Sequence, residues 1–273
     1  MADLLSRKIK IFQQVVMISV KQWAAYRSNI LTVFVIAPVG MLAQYFIWKS
    51  VIASNGSING MDFTQIFTYY AVTIILNIFL ADDVAGSLRS LIYSGELNSY
   101  LLKPVSYFQY ALAEKFGKKI LSVFFELIPL ALIFIFIFQI DLMPRNIFLF
   151  VLSVFLSFLM IFLINYCVGI TAFWLTNNWG VNMAVGILIN FSSGLLIPLS
   201  LFPLFLQKFL FALPFQYMYY IPARIFLGNY ELAGLSISLP YVILIQFLYV
   251  LLIWCLTGFL WKKGVKKYMG VGT

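Results

Sequence analysis

The chain has 273 residues, a net charge of +9, 63% hydrophobic residues, 10% charged residues and no histidine. A soluble domain carries about 25% charged residues, so this composition excludes a water-soluble globular protein, and the lack of histidine excludes a Ser-His-Asp triad, imidazole base catalysis and a histidine-ligated zinc site. The positive charge does not signal nucleic acid, because the basic residues sit at the ends of apolar runs rather than on one patch.

In chain order, Leu5, Ile9, Phe12, Val16, Val20 and Trp23 recur at helical spacing opposite Arg7, Lys10, Gln14 and Lys21. Residues 1–27 therefore read as an amphipathic helix in the inner membrane interface, either a topology anchor or a docking element. No cleavable signal peptide is expected, since the first apolar run follows that stretch and more spans come after it. About 20 apolar residues cross a bilayer core of roughly 30 Å as a helix. Span one is Ser28 to Trp48. Span two is Phe63 to Ala81, ended by Asp82 and Asp83.

The stretch 82–119 is the longest charged excursion. Gly95 breaks the helix leaving span two, Glu96 to Leu102 has room for one short helix, and Pro104 stops it. Ser106 and Gln109 then form a capping box for a helix running through Glu114 and Lys118 into span three, Ile120 to Ile140. The expected product is a short rigid elbow. Glu126 is the one acid expected within a span, with Pro129 a turn later. It is either functional, as intramembrane carboxylates often are, or paired near the interface with Lys118 and Lys119.

From Asn146 to Gln207 the chain runs 62 residues without Asp, Glu, Lys or Arg. That length is two spans, Asn146 to Leu175 and Val181 to Phe202, joined by the turn Thr176-Asn177-Asn178-Trp179-Gly180. Asn165, Asn190, Ser192 and Ser193 either line a pathway or stitch helices together. Residues 203–238 are apolar in pieces, broken by Pro203, Pro214 and Pro222, charged at Lys208, Arg224 and Glu231, and dense in aromatics, which predicts re-entrant helices at the headgroup level. Span six is Leu239 to Trp261, and 262–273 is a basic tail. Cys167 and Cys255 fall inside spans and read as packing residues. The fold class is an all-α integral membrane protein with six transmembrane helices.

Lysines and arginines number 14 before span one, between spans two and three and in the tail, against four (Lys49, Arg145, Lys208 and Arg224) on the opposite side. Both termini are therefore expected in the cytoplasm and 203–238 outside. Gly117-Lys118-Lys119 lacks the upstream glycine and the Ser/Thr of a phosphate-binding loop. No ATP-binding motif or catalytic constellation is found, so the chain is not expected to be an enzyme by itself.

The run Gly95-Glu96-Leu97-Asn98-Ser99-Tyr100-Leu101-Leu102-Lys103-Pro104 resembles the cytoplasmic coupling segment of type-2 ATP-binding-cassette exporter permeases, especially the branch with daunorubicin-type drug-resistance permeases. Gly194-Leu195-Leu196-Ile197-Pro198-Leu199, Phe202-Pro203, Leu213-Pro214-Phe215 and Tyr220-Ile221-Pro222-Ala223-Arg224-Ile225-Phe226-Leu227-Gly228 resemble that branch's fifth span and outer hairpin. The resemblance covers essentially the whole chain. It implies a permease in a bacterial plasma membrane that exports an amphiphilic or hydrophobic substrate such as a drug, peptide, lipid or glycolipid. Its implied partners are the lipid bilayer, a second permease, identical or homologous, and a separate nucleotide-binding ATPase that holds ATP and magnesium, with no cofactor or metal on this chain and no nucleic acid. Glu96, Leu97, Tyr100, Leu101, Lys103 and Pro104 would couple to the ATPase. Asn190, Ser192, Ser193, Asn165 and Glu126 are candidates for the substrate path or dimer face, since spans two and five form that face in the family. An ion-coupled secondary carrier or channel is the alternative, but it needs repeated intramembrane charges, and an intramembrane enzyme lacks catalytic groups.

Overall fold

The computed structural model describes residues 13–18, 28–55, 57–58, 61–103 and 106–268. Of the expected amino-terminal interfacial helix, residues 13–18 are helical and the remainder lies outside the described residues. Among the described residues, five helices are long and apolar enough to cross a membrane, and a sixth apolar helix is shorter. Nearly everything else is helix or turn, apart from a two-stranded ribbon, β1 (Glu231–Leu232) against β2 (Leu235–Ser236).

Helix α1 is Ser28–Asn55, with Pro38 inside it. Helix α2, Phe63–Leu80, starts at Asp62, whose carboxylate accepts the Gln65 N–H (2.7 Å) while the Gln65 side chain accepts the Asp62 N–H (3.3 Å), so two otherwise orphaned donors are satisfied. Asp82 and Asp83 were expected to end span two. The helix does stop there, at Leu80, and after the break at residues 81–83 the chain enters a separate helix α3, Val84–Ser94, with Asp83 as its cap. Together α2 and α3 span 32 residues, longer than the roughly 20 that cross a hydrocarbon core as a helix.

After the five-residue helix α4, Leu97–Leu101, helix α5, Tyr107–Ser122, begins where Ser106 Oγ accepts the Gln109 N–H. A π-helical turn, Val123–Leu127, joins it to α6, Ile128–Phe138. Helix α7, Ile147–Ile170, is capped by Asn146 and ends in a 3-10 turn, Thr171–Phe173. The fifth apolar run departs from expectation. Helix α8 covers only Trp179–Ser192, 14 residues or about 21 Å, rather than reaching Phe202.

The cause is Gly194, at φ +83°. A Cβ there would lie 2.7 Å from Tyr69 Oη and 2.9 Å from Tyr220 Cβ, so glycine permits both the left-handed turn and the close approach. Short helices α9, Leu204–Phe211, and α10, Tyr220–Leu227, follow, and α11, Leu239–Lys267, closes the bundle. Its helix runs through Lys262 and Lys263, two turns past the expected end at Trp261.

The core lies where α7 packs between α3, α10 and α11. Gly169 on α7 makes this possible, because a Cβ there would press against Leu88 and the Ala85 backbone at 3.0–3.2 Å. At the hairpin end, the Arg145 N–H donates to Phe226 O (3.1 Å), and α9, α10 and the β-ribbon gather over the ends of α2 and α7. At the opposite end, Tyr93 Oη donates to Leu175 O (2.9 Å) and Phe173 packs edge-on against Trp261 and Tyr268.

Candidate functional site

The elbow stands at the end of α3. Gly95 takes the left-handed conformation that ends α3 (φ +78°), and Ser94 Oγ accepts the Glu96 N–H. Leu97 is fully buried and plugs α4 onto the bundle. Tyr100 packs edge-on against Tyr107 (5.2 Å between centroids) and beside Tyr110 (5.3 Å), and the Lys103 ammonium sits 4.7 Å from the centre of the Tyr100 ring. Of the six expected coupling residues, Glu96, Leu101 and Lys103 face outward, while Leu97 and Tyr100 form the mounting. Pro104 lies outside the described residues. Leu102 was missed. It is 88% exposed beside Leu101 at 42%, and its position five residues after Leu97 puts it about 140° around the helix, a spacing that could have revealed it.

The mounting is continuous with the membrane helices. Tyr107 stacks near Tyr166 on α7 (6.2 Å), and Tyr166 meets Trp261 on α11 (5.6 Å). Phe108 packs edge-on against Trp254 (5.2 Å). Lys119 Nζ donates to Ala81 O (2.6 Å), tying α5 to the break between α2 and α3. These ring contacts make one packed aromatic chain from the elbow to α7 and α11.

The expected intramembrane polar residues are not brought together. Glu126 lies in the π-helical turn and accepts a hydrogen bond from Ser122 Oγ, while Lys118 pairs with Glu114 rather than with it. Glu126 is also not the only acid inside a candidate span. Asp82 lies within the Phe63–Ser94 pair; its Oδ1 accepts from the Val84 N–H (3.0 Å) and Asn165 Nδ2 (3.2 Å), and its buried Oδ2 has no partner. Asn165 therefore stitches α7 to α2. Toward the hairpin end Asn190 is exposed, Ser192 and Ser193 are buried, and Ser193 O accepts the Tyr220 N–H (2.8 Å). Burial raises the Tyr220 phenol above its ordinary range, so it remains a neutral donor, to Glu231 O (2.7 Å).

A family model of ABC-2 family transporter proteins matches residues 39–272. The chain belongs to that family. No curated protein matches it.

In this ABC-2 permease a crevice opens between α1, α2 and the turn after α8. It holds about 380 Å³ and is lined by Gln44, Tyr70, Thr73, Asn77, Gly40 and Leu196. None of the five candidate path residues lines it. Tyr70, Thr73 and Asn77 recur at helical spacing on one face of α2, a signal present in the sequence but hidden by the apolar run around it. Helix α8 beside the crevice shows Trp179, Met183, Ile187 and Phe191 to its surroundings. Among the described residues no group of His, Cys, Asp or Glu is arranged to hold a metal. The permease is a membrane subunit of a transporter.

Proposed function

We propose that this permease exports an amphiphilic or hydrophobic substrate, driven by ATP and magnesium held on a separate ATPase that grips the elbow. The observation that carries the reading is the pairing of an exposed apolar tip, Leu101 and Leu102, with a buried aromatic mounting that runs into α7 and α11. ATPase closure moves the tip, the mounting transmits the movement, and a dimer of permeases shifts between two packings around the crevice beside α2 and α8. Exposed apolar side chains on α8 suit either a second permease or lipid at that face. The bacterial plasma membrane, cytoplasmic termini and a cargo such as a drug, peptide, lipid or glycolipid belong to the same proposal, supported by charge placement and by the similarity to drug-resistance permeases.

The test is reconstitution. Vesicles holding the permease with an ATPase that copurifies with it should concentrate a fluorescent amphiphile only with ATP and magnesium, and uptake by the permease alone under an ion gradient would defeat the exporter reading. Sidedness has its own check. Lys208 is exposed whereas Arg224 is 5% exposed, so Lys208→Cys, with Cys167 and Cys255 replaced by alanine, is the position to label. It should react with a membrane-impermeant maleimide in intact cells, and reaction only after the inner face is opened would place 203–238 on the cytoplasmic side.

A further inference from the structure

Arg224 is the most deeply buried arginine of the described chain, 5% exposed, on α10 at the hairpin end. Its Nε is buried without a partner, and its Nη1 meets only the Met61 sulfur, at 3.7 Å. The Tyr220 ring face lies 5.9 Å away. Among the described residues the one ion pair is Lys118–Glu114, so no carboxylate is paired with Arg224. A guanidinium cannot shed its proton to escape burial, and an uncompensated buried ion costs several kcal/mol. A sulfur contact and a distant ring face offset only part of that.

The guanidinium opens into a cavity of about 630 Å³ lined by Gln65, Ser200, Gln207, Asn229 and Glu231. A smaller one of about 160 Å³, lined by Arg145 and Asp141, lies on its other side. Both acids are exposed. The larger cavity is a built structure. Gln207 Nε2 donates to Ser200 O (3.0 Å) and Phe202 O (2.7 Å) while its Oε1 accepts the Ala233 N–H (2.9 Å), which locks α9, the turn before it and the β-ribbon into one wall. Leu204 lines the mouth, and Phe205, Lys208 and Phe209 on the same helix, α9, are exposed. A polar cavity with one unpaired fork-shaped cation, bordered by an apolar helix face, matches a molecule with an anionic head and an alkyl chain.

We infer that this cavity is a binding site for the carboxylate or phosphate head of an amphiphile, with Arg224 as its ligand and α9 as the seat of its chain. The occupant is either a resident membrane lipid or cargo on its way out, and one experiment separates them. The full-length permease carrying Asn229→Cys, with Cys167 and Cys255 replaced by alanine, is placed in phosphatidylcholine nanodiscs without nucleotide or ATPase, so its outcome is independent of the exporter reading. The thiol should react faster with an anionic than with a cationic methanethiosulfonate of similar size, by about tenfold relative to a Ser238→Cys control, exposed and outside both cavities. Dodecyl phosphate should protect it, and Arg224→Gln should abolish the protection. Protection by phosphatidylglycerol in the disc identifies a resident lipid; protection by added dodecyl phosphate, undiminished by phosphatidylglycerol, identifies cargo. Equal reactivity with both reagents, or protection that survives Arg224→Gln, overturns the inference. Should Arg224→Gln fail to fold, the charge preference and the protection measured with Arg224 present decide it.

Discussion

Replacing Leu101 and Leu102 together with aspartate is expected to cut ATP-driven transport about a hundredfold while leaving the fold intact. Both side chains are exposed, and surface substitutions away from special features shift stability by only about 0.5 kcal/mol. At a docked interface the same two carboxylates would be desolvated against an apolar pocket, and two or more kcal/mol per central residue, at about 1.4 kcal/mol per tenfold, accounts for the loss. ATPase retention on immobilised permease and uptake into inverted vesicles measure it. Leu97→Asp makes a poor comparison, because Leu97 is fully buried and its loss would dislodge the elbow from its mounting. Transport at the parental level in the double variant would show that the engine grips elsewhere.

Gln246→Leu should be among the most damaging single changes in the membrane domain. Fully buried on α11, the Gln246 amide shares its two Nε2 hydrogens among Ser153 O (3.0 Å), Ser157 Oγ (3.1 Å) and Tyr217 O (2.9 Å) and accepts from Ser153 Oγ (2.9 Å). One side chain thus joins α7, α11 and the turn that leads into α10. Leucine of similar volume leaves the Ser153 hydroxyl without its acceptor, while the Tyr217 carbonyl keeps Ser157 Oγ (2.9 Å), a cost of about 2 kcal/mol, or roughly 4–8 °C in the unfolding midpoint of a chain this size. Ser153→Ala in the same background should recover part of the loss, because it removes the stranded hydroxyl. An unchanged midpoint in Gln246→Leu would mean that the knot contributes nothing to holding the hairpin against the bundle.

These residues also show where reading the chain succeeds and where it stops. The cap at Ser106, the break at Gly95 and the turn before Trp179 were legible because each is a local contest between backbone and the nearest side chain. Span five was misjudged by ten residues because hydropathy continues smoothly past Ser192, and the reversal depends on Tyr69 and Tyr220, distant in sequence, pressing on Gly194. The end of α2 before Asp82 was legible because charge stops an apolar run, whereas the Asn165 side chain on α7 that holds Asp82 was not, since that contact spans 83 residues. Arg224 read as surface because it carries a charge. Gln246, Ser153 and Ser157 vanished into their apolar runs, since uncharged polar residues scarcely lower hydropathy until the fold brings them face to face.

The unbroken helix through Lys262 and Lys263 carries a practical implication. Phe173 fits against Gly264, where any side chain would collide with its ring, and it touches Trp261 and Tyr268 as well. The carboxyl end is thereby wedged against the same aromatic stack that bears the knuckle. On the proposed export cycle, a fluorophore pair bridging the last helical turn of α11 and the tip is expected to hold a constant separation, whereas one bridging that turn and the hairpin end is expected to change with nucleotide.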